Sequence, residues 1–309
     1  MAKADIQNAA FRDANKARET LEAIRWPDGP ICPHCGNADQ DKIAKGEGKA
    51  HRPGLYYCAA CNGQFTVTIG TVMERSKIPL SKWLFAMHLM GASKKGISAL
   101  QLQRMLGVTY KTAWFLCHRI REAMTTAVNG PLGGSGKIVE ADETYIGGKE
   151  ANKHVGKRNK KNIGGQGKQA IVSLTERDGQ SRSFRVAKVS GETLRPILVS
   201  HVSRKSALMT DQGGQYFHVS KEFDRHETVN HGADEYVRGD AHTNTSECRF
   251  GLMKRAVFGA HHSISEAHLP RYLAEWDFKW NTRKVKDGER AALIAKGIEG
   301  KRLTYRPTH

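Results

Sequence analysis

The sequence predicts an α/β protein whose main body is a mixed sheet flanked by helices, preceded by two small modules. Three observations lead there. Two Cys-x-x-Cys pairs lie near the start, a helical stretch punctuated by Gly107 follows, and residues 137 onward run strand, strand, strand, helix, strand, strand, helix with acidic residues inside apolar strands.

The chain has 309 residues, enough for one large or two to three small domains with real cores. Lys and Arg number 49 against 31 acidic residues, a formal charge of +18. Such a balance draws polyanions and points to nucleic acid. No run of 18 apolar residues exists, so no membrane span is expected, and Met1–Gln7 lacks an apolar signal core. Six cysteines in a chain of this size suit a reducing cytosol better than a disulfide scaffold.

Ala14, Ala17, Leu21 and Ile24 fall at helical spacing, so an amphipathic helix is expected over roughly residues 5–25, ended by Pro27 to Pro30. Cys32 and Cys35 then pair with Cys58 and Cys61 across 22 intervening residues. Each Cys-x-x-Cys turn offers two thiolates to one ion, and two such turns complete a tetrahedron about Zn²⁺. Four cysteines leave no open coordination position, so the metal is expected to be structural, with His34 and His51 as bystanders. Gln64 to Ile69 alternates as a strand does.

Ser81 to Met90 reads as a helix. Ser98 caps a second that stops at Gly107, and Thr109 caps a third whose buried stripe is Ala113, Leu116, Cys117 and Ile120. Helix, glycine turn, helix is the helix-turn-helix pattern. It places Tyr110, Lys111, Thr112 and Trp114 where base edges are reached. An ordinary helical bundle is the alternative reading. Asn129 to Gly136 is a linker by composition.

Lys137 to Ile146 reads as a strand carrying Glu140, Asp142 and Glu143. The Lys-rich loop 149–168, with Lys157, Arg158, Lys160 and Lys161, is expected either to hold phosphates or to be a solvated insertion. Two strands joined at Asp178-Gly179, a helix over Thr193–Val202, a strand Ser206–Thr210 delivering Asp211 and a short strand Glu227–His231 follow. The last helix begins near Thr243, with Gly259 as its expected stop. Phe250, Met253 and Val257 form its apolar stripe, while Glu247, Gly251 and Lys254 share another line. This order is ribonuclease-H-like. It brings the middle of the first strand beside the end of the fourth, with the helix across both, so Asp142, Asp211 and Glu247 are expected to converge. Three close carboxylates resist ionising together unless divalent cations sit among them. A pair of Mg²⁺ or Mn²⁺ ions there suits phosphodiester chemistry. Glu140 and Glu143 compete with Asp142, and Glu235 and Asp240 with Glu247. Lys254 reads either as a cation for the DNA backbone or developing charge, or as a surface lysine.

Together these stretches divide the chain into an N-terminal helix (1–30), a zinc ribbon (31–75), a helix-turn-helix-like domain (76–130), a catalytic-type domain (137–290) and a C-terminal tail (291–309).

Cys32-Pro33-His34-Cys35-Gly36 with Cys58 and Cys61, Asp142 to Lys149, Thr210-Asp211, His242 to Glu247 with Lys254-Arg255, and Arg271 to Trp276 with Asn281 together resemble bacterial insertion-sequence transposases of the Merlin-like group. Cys248 to Gly251 departs from that pattern. The resemblance implies Asp142, Asp211 and Glu247 as a DDE metal-binding catalytic triad with Lys254 associated. It implies double-stranded DNA as partner, both terminal inverted repeats and target, and a homodimer or larger assembly in a bacterial, nucleoid-associated setting. The expected activity is hydrolysis and strand transfer at element ends. A zinc-ribbon regulator without catalysis, or a nuclease that cuts without joining, are the alternatives.

Overall fold

The computed structural model describes residues 8–126, 130–148, 150–159, 165–217, 219–233 and 235–305. The chain forms two compact units, residues 1–126 with 284–309, and residues 127–283.

The first unit opens with helix α1 (Ala14–Arg25). It starts later than expected because Asp13 accepts from the Asn15 and Lys16 N–H groups and so caps it there. Trp26 ends it and packs edge-on against Tyr56 and Phe65, at 5.5 and 5.7 Å between ring centres. Strands β1 (Ile43–Lys45), β2 (Tyr56–Cys58) and β3 (Gly63–Phe65) form a small antiparallel sheet. β3 is shorter than the expected Gln64–Ile69 strand. Beyond Phe65 the hydroxyls of Thr66 and Thr68 bond each other and Thr71 donates to the Thr68 carbonyl, so the chain turns away.

Helices α2 (Leu80–Ala92), α3 (Ala99–Leu106) and α4 (Tyr110–Met124) follow. Ser98 and Thr109 accept from Gln101 N–H and Thr112 N–H at the starts of α3 and α4, and Gly107 takes the left-handed conformation between them. Ala113, Leu116, Cys117 and Ile120 are all buried.

The second unit is built on strand β4 (Ile138–Ile146), at the centre of a five-stranded sheet. β5 (Gln169–Glu176) and β6 (Ser181–Val186) continue from it antiparallel, joined by a turn in which Asp178 has φ +58°. Helix α5 (Gly191–His201) then leads to β7 (Ala207–Asp211), parallel to β4, and on to β8 (Arg225–Val229), parallel to β7. The spatial order is β6-β5-β4-β7-β8.

Alternation along β4 divides its two faces. Val139 and Ala141 join Val172, Leu174, Leu194, Leu198 and Tyr216 in one core. On the other face Ile146 and Ile171 pack with Phe250, Met253 and Val257 of helix α6 (Asn244–Ala256) and with Leu269, Tyr272 and Trp276 of helix α7 (Leu269–Asn281). α6 does not stop at Gly259. It widens into a π turn over Val257–His261, where His262 N–H reaches Val257 O at 2.6 Å. Val257 is buried in the α6–α7 core, so the chain remains packed through that turn.

From residue 284 the chain is again part of the first unit. Helix α8 (Asp287–Lys296) lies against α2, where Arg290 donates to Gly91 O at 2.9 Å. Gly297 sits so close to Ala123 O that a Cβ would lie 2.2 Å from it. Val72 N–H bonds Ile298 O and Gly300 N–H bonds Gly70 O. The expected boundary at 290 and tail from 291 are therefore corrected: residues 287–300 form a packed helix and a paired strand-like strip. Ile294, Ala295 and Ile298 are buried in it.

Candidate functional site

The four cysteines come together as their spacing predicts. Cys32 Sγ lies 3.7 Å from Cys61 Sγ, and Cys35 Sγ lies 3.7 Å from Cys58 Sγ. A regular tetrahedron with Zn–S bonds of about 2.3 Å has S···S edges of about 3.8 Å. All four ligand atoms lie within 4.8 Å of one another. Backbone N–H groups of Ala60 and Cys61 point at Cys58 Sγ, as expected around thiolates. At Gly63 a Cβ would stand 3.0 Å from the His34 ring and 3.2 Å from Cys61 Sγ, so a side chain there would have to push one of them aside by a few tenths of an ångström. His34 faces the Gln64 carbonyl at 3.1 Å. The donor set suits a structural Zn²⁺.

The acidic residues gather in the second unit. β4 and β7 are in parallel register from Ile138 with Ala207 to Glu140 with Met209. The pairing ends there, and Asp142 and Asp211 each lie two residues further along their strands. Burial pushes the Asp142 carboxyl up to about 7, with the charges of Glu143, Asp211 and Glu247 adding to the rise and the Glu143 backbone N–H opposing it. Asp142 is thus within electrostatic reach of both other expected ligands. Glu143, on the opposite strand face, is also raised to about 7, chiefly by burial, opposed by the Tyr216 hydroxyl and reinforced by Asp211. Tyr216 is buried and donates to Glu143 Oε1 at 2.5 Å. Among the described residues the four cysteines are the one group of three or more ligating side chains placed closely enough to hold a metal ion.

The competing acids are otherwise engaged. Glu140 is fully buried and accepts from Ser246 N–H and Thr245 Oγ1 at 2.9 Å each, and from Arg177 Nε at 2.7 Å. It thereby caps α6, whose N-cap residue Thr243 makes no side-chain cap bond, and a carboxylate at a helix N-terminus is favourable. Asp240 is paired with Arg225, and Glu235 accepts from Asn230 N–H and faces Arg238. Glu247 and Lys254 of α6 are exposed.

At the start of α4, Tyr110 and Lys111 are exposed, and Thr112 is half-buried with its hydroxyl against Thr109. The Lys111 ammonium lies 4.5 Å from the Tyr305 ring centre. Trp114 packs edge-on against His118 of its own helix at 4.2 Å. In the basic loop Lys157 and Arg158 are both exposed; Arg158 donates to Lys153 O and Ala151 O of its own loop, and Glu150 binds Lys153 and Asn159 N–H. Lys160 and Lys161 lie outside the described residues.

Sequence reasoning missed two buried ion pairs around α6. Arg177 is one; besides Glu140 it holds Asp240 O and His242 O. Arg249 is the other, 1% exposed and bonded to Asp277 of α7, Ser173 of β5 and Ser183 of β6. A signal existed for Arg249: it shares the inward line of Ser246, Met253 and Ala256, all buried.

Residues 131–281 match the family model for the ISXO2-like transposase domain, and residues 12–64 match that for the transposase zinc-ribbon domain. A protein in transposable element ISH50 of Halobacterium salinarum is 27% identical over 282 residues, covering 87% of this chain and 91% of that one. The cysteine ribbon and the sheet unit of this chain thus belong to two domain families of insertion-sequence transposases.

Proposed function

We propose that the protein is a DDE transposase that binds the ends of its element and carries out metal-dependent phosphodiester hydrolysis followed by strand transfer into target DNA. One observation carries the reading: Asp142 and Asp211 lie on adjacent parallel strands, and the charges of Asp211 and Glu247 both disfavour ionisation of the buried Asp142 carboxyl, a clustering of acids that a bound cation would relieve. The β6-β5-β4-β7-β8 order, three antiparallel strands followed by two parallel ones, supports a ribonuclease-H-like fold for this unit.

Three carboxylates form a hard oxygen donor set that fits Mg²⁺ or Mn²⁺. When bound by Asp142, Asp211 and Glu247, such ions would activate the attacking oxygen and stabilise the leaving one. Lys254 presents an ammonium about two turns along α6 from Glu247, in position for a phosphate of the DNA backbone. The α3–α4 pair supports a helix-turn-helix, with Tyr110, Lys111, Thr112 and Trp114 at its reading end and Lys157 as a further phosphate contact. Arg158 is less suited to that part because its guanidinium is taken up by its own loop. Pairing two element ends calls for at least a dimer.

The test sequences the DNA on either side of the gene for inverted repeats and uses fragments carrying them, with Mg²⁺ or Mn²⁺. Wild type is expected to nick the ends and join them to a target plasmid, while Asp142→Ala, Asp211→Ala and Glu247→Ala each lose both steps. Nicking without joined product would make the protein a nuclease. Binding without either step would make it a regulator.

A further inference from the structure

We propose that the two buried ion pairs, Glu140–Arg177 and Arg249–Asp277, are a positioning frame that aims Glu247 at Asp142 and Asp211; this rests on the metal-site reading above. Glu247 is exposed, and its charge reaches Asp142, so where its carboxylate stands depends on how α6 is seated on the sheet. Apolar contacts of Phe250 and Met253 hold α6 on the sheet, but burial energy is non-directional and tolerates small slides and rotations. Each residue of a helix turns it by about 100° and advances it by about 1.5 Å, so a modest slip would carry the carboxylate off the strand ends.

Directional bonds remove that freedom at two points on either side of Glu247. Just before it, Thr245 Oγ1 and Ser246 N–H are fixed on Glu140, two residues from Asp142 on the same face of β4. Just after it, Arg249 is fixed on Ser173, which stands directly opposite Asp142 across the β4–β5 pair. Both anchors therefore end beside Asp142. Arg249 also reaches Asp277 and Ser183, so α7 and β6 lock the same point. Arg177 extends the first anchor to the loop ahead of α6 through Asp240 O and His242 O. Buried ion pairs of this kind are often replaceable by apolar residues without loss of stability, which leaves geometry as the reason for carrying them.

The experiment measures Mn²⁺ binding by isothermal titration calorimetry on the full-length, zinc-loaded protein. Variants are Arg249→Met/Asp277→Leu, which swaps one pair for apolar side chains, and Glu140→Gln, which breaks the other; each is made with and without Glu247→Gln. With Glu247 present, each frame variant is expected to weaken Mn²⁺ binding about tenfold, the usual scale for residues that orient metal ligands. In the Glu247→Gln background the same changes should add nothing, because the frame acts through that carboxylate. Far-UV dichroism checks that each protein is folded, and if the apolar pair fails to fold, Glu140→Gln decides alone. Unchanged affinity, or losses that add to that of Glu247→Gln, overturn the frame while leaving the metal reading intact. Wild type that takes up no Mn²⁺ overturns both.

Discussion

A carboxyl group buried beside three others keeps its proton to higher pH than one in water, and Asp142 is such a group. Its folded value near 7 is above its unfolded one, so its charge opposes folding. That cost is absent below about pH 4, grows between about 4 and 7, and is complete above 7. In metal-free protein, Asp142→Asn is therefore expected to raise the melting temperature at pH 8, by about 1 to 2 kcal/mol of stability, and to change little at pH 4.5. Thermal melts at the two pH values check this, and an equal gain at both would sink it. Mn²⁺ should abolish the gain by neutralising the same charge. Arg249→Ala alone leaves Asp277 buried without its partner and is expected to cost about 3 to 5 kcal/mol by urea unfolding. The acidic character of positions 142, 211 and 247 was readable in the chain because carboxylates inside apolar strands are costly and therefore conspicuous. Arg249 was not singled out because, beside Glu247 on a basic helix, it looks like any surface arginine until its face is known.

Among the elements, α3 and α4 follow local rules closely. Ser98, Gly107 and Thr109 take the cap and turn geometry that their side chains favour. Thr109→Ala is expected to lower stability by about 1 kcal/mol, and Gly107→Ala by a similar amount because its φ is +60°. Chemical denaturation measures both. Lys111→Ala should weaken DNA binding similarly for all sequences and flatten its salt dependence by about one ion. A titration over several salt concentrations reads that slope, and an unchanged slope would remove Lys111 from the interface. α6 is different. Its cap residues are the expected type, yet Thr243 makes no side-chain cap bond and the carboxylate of Glu140, more than a hundred residues earlier, serves instead. No window of sequence contains both partners. The π turn after Ala256 was equally hidden, because Gly259 is a plausible stop locally and only the packing of Val257 carries the chain past it.

At the scale of the molecule, the first unit draws on both ends of the chain. Truncation after Arg283 removes α8 from Gly91 and the paired strip from residues 70–72. It is expected to unfold or strongly loosen the helices α2 to α4, seen as faster hydrogen exchange there; unaltered exchange would return residues 284–309 to the status of a tail. Chelating the zinc should likewise raise exchange over residues 43–65, where the small sheet depends on the cysteine cross-link. No helix among the described residues is long and apolar enough to cross a membrane.

What the sequence settled by itself is local or periodic: the cysteine pairs, the strand order, the caps of α3 and α4, and the presence of acids at 142, 211 and 247. Spacing along a chain carries those, because thiolate turns, strand alternation and caps are complete within a few residues. Tertiary structure alone decided that Glu140 is a cap, that Arg249 faces inward onto Asp277, that Tyr216 holds Glu143, and that the last helix joins the first unit. Each of these joins groups far apart in the sequence, whose meeting depends on strand register and helix rotation, and those are fixed only when the apolar faces have been buried together.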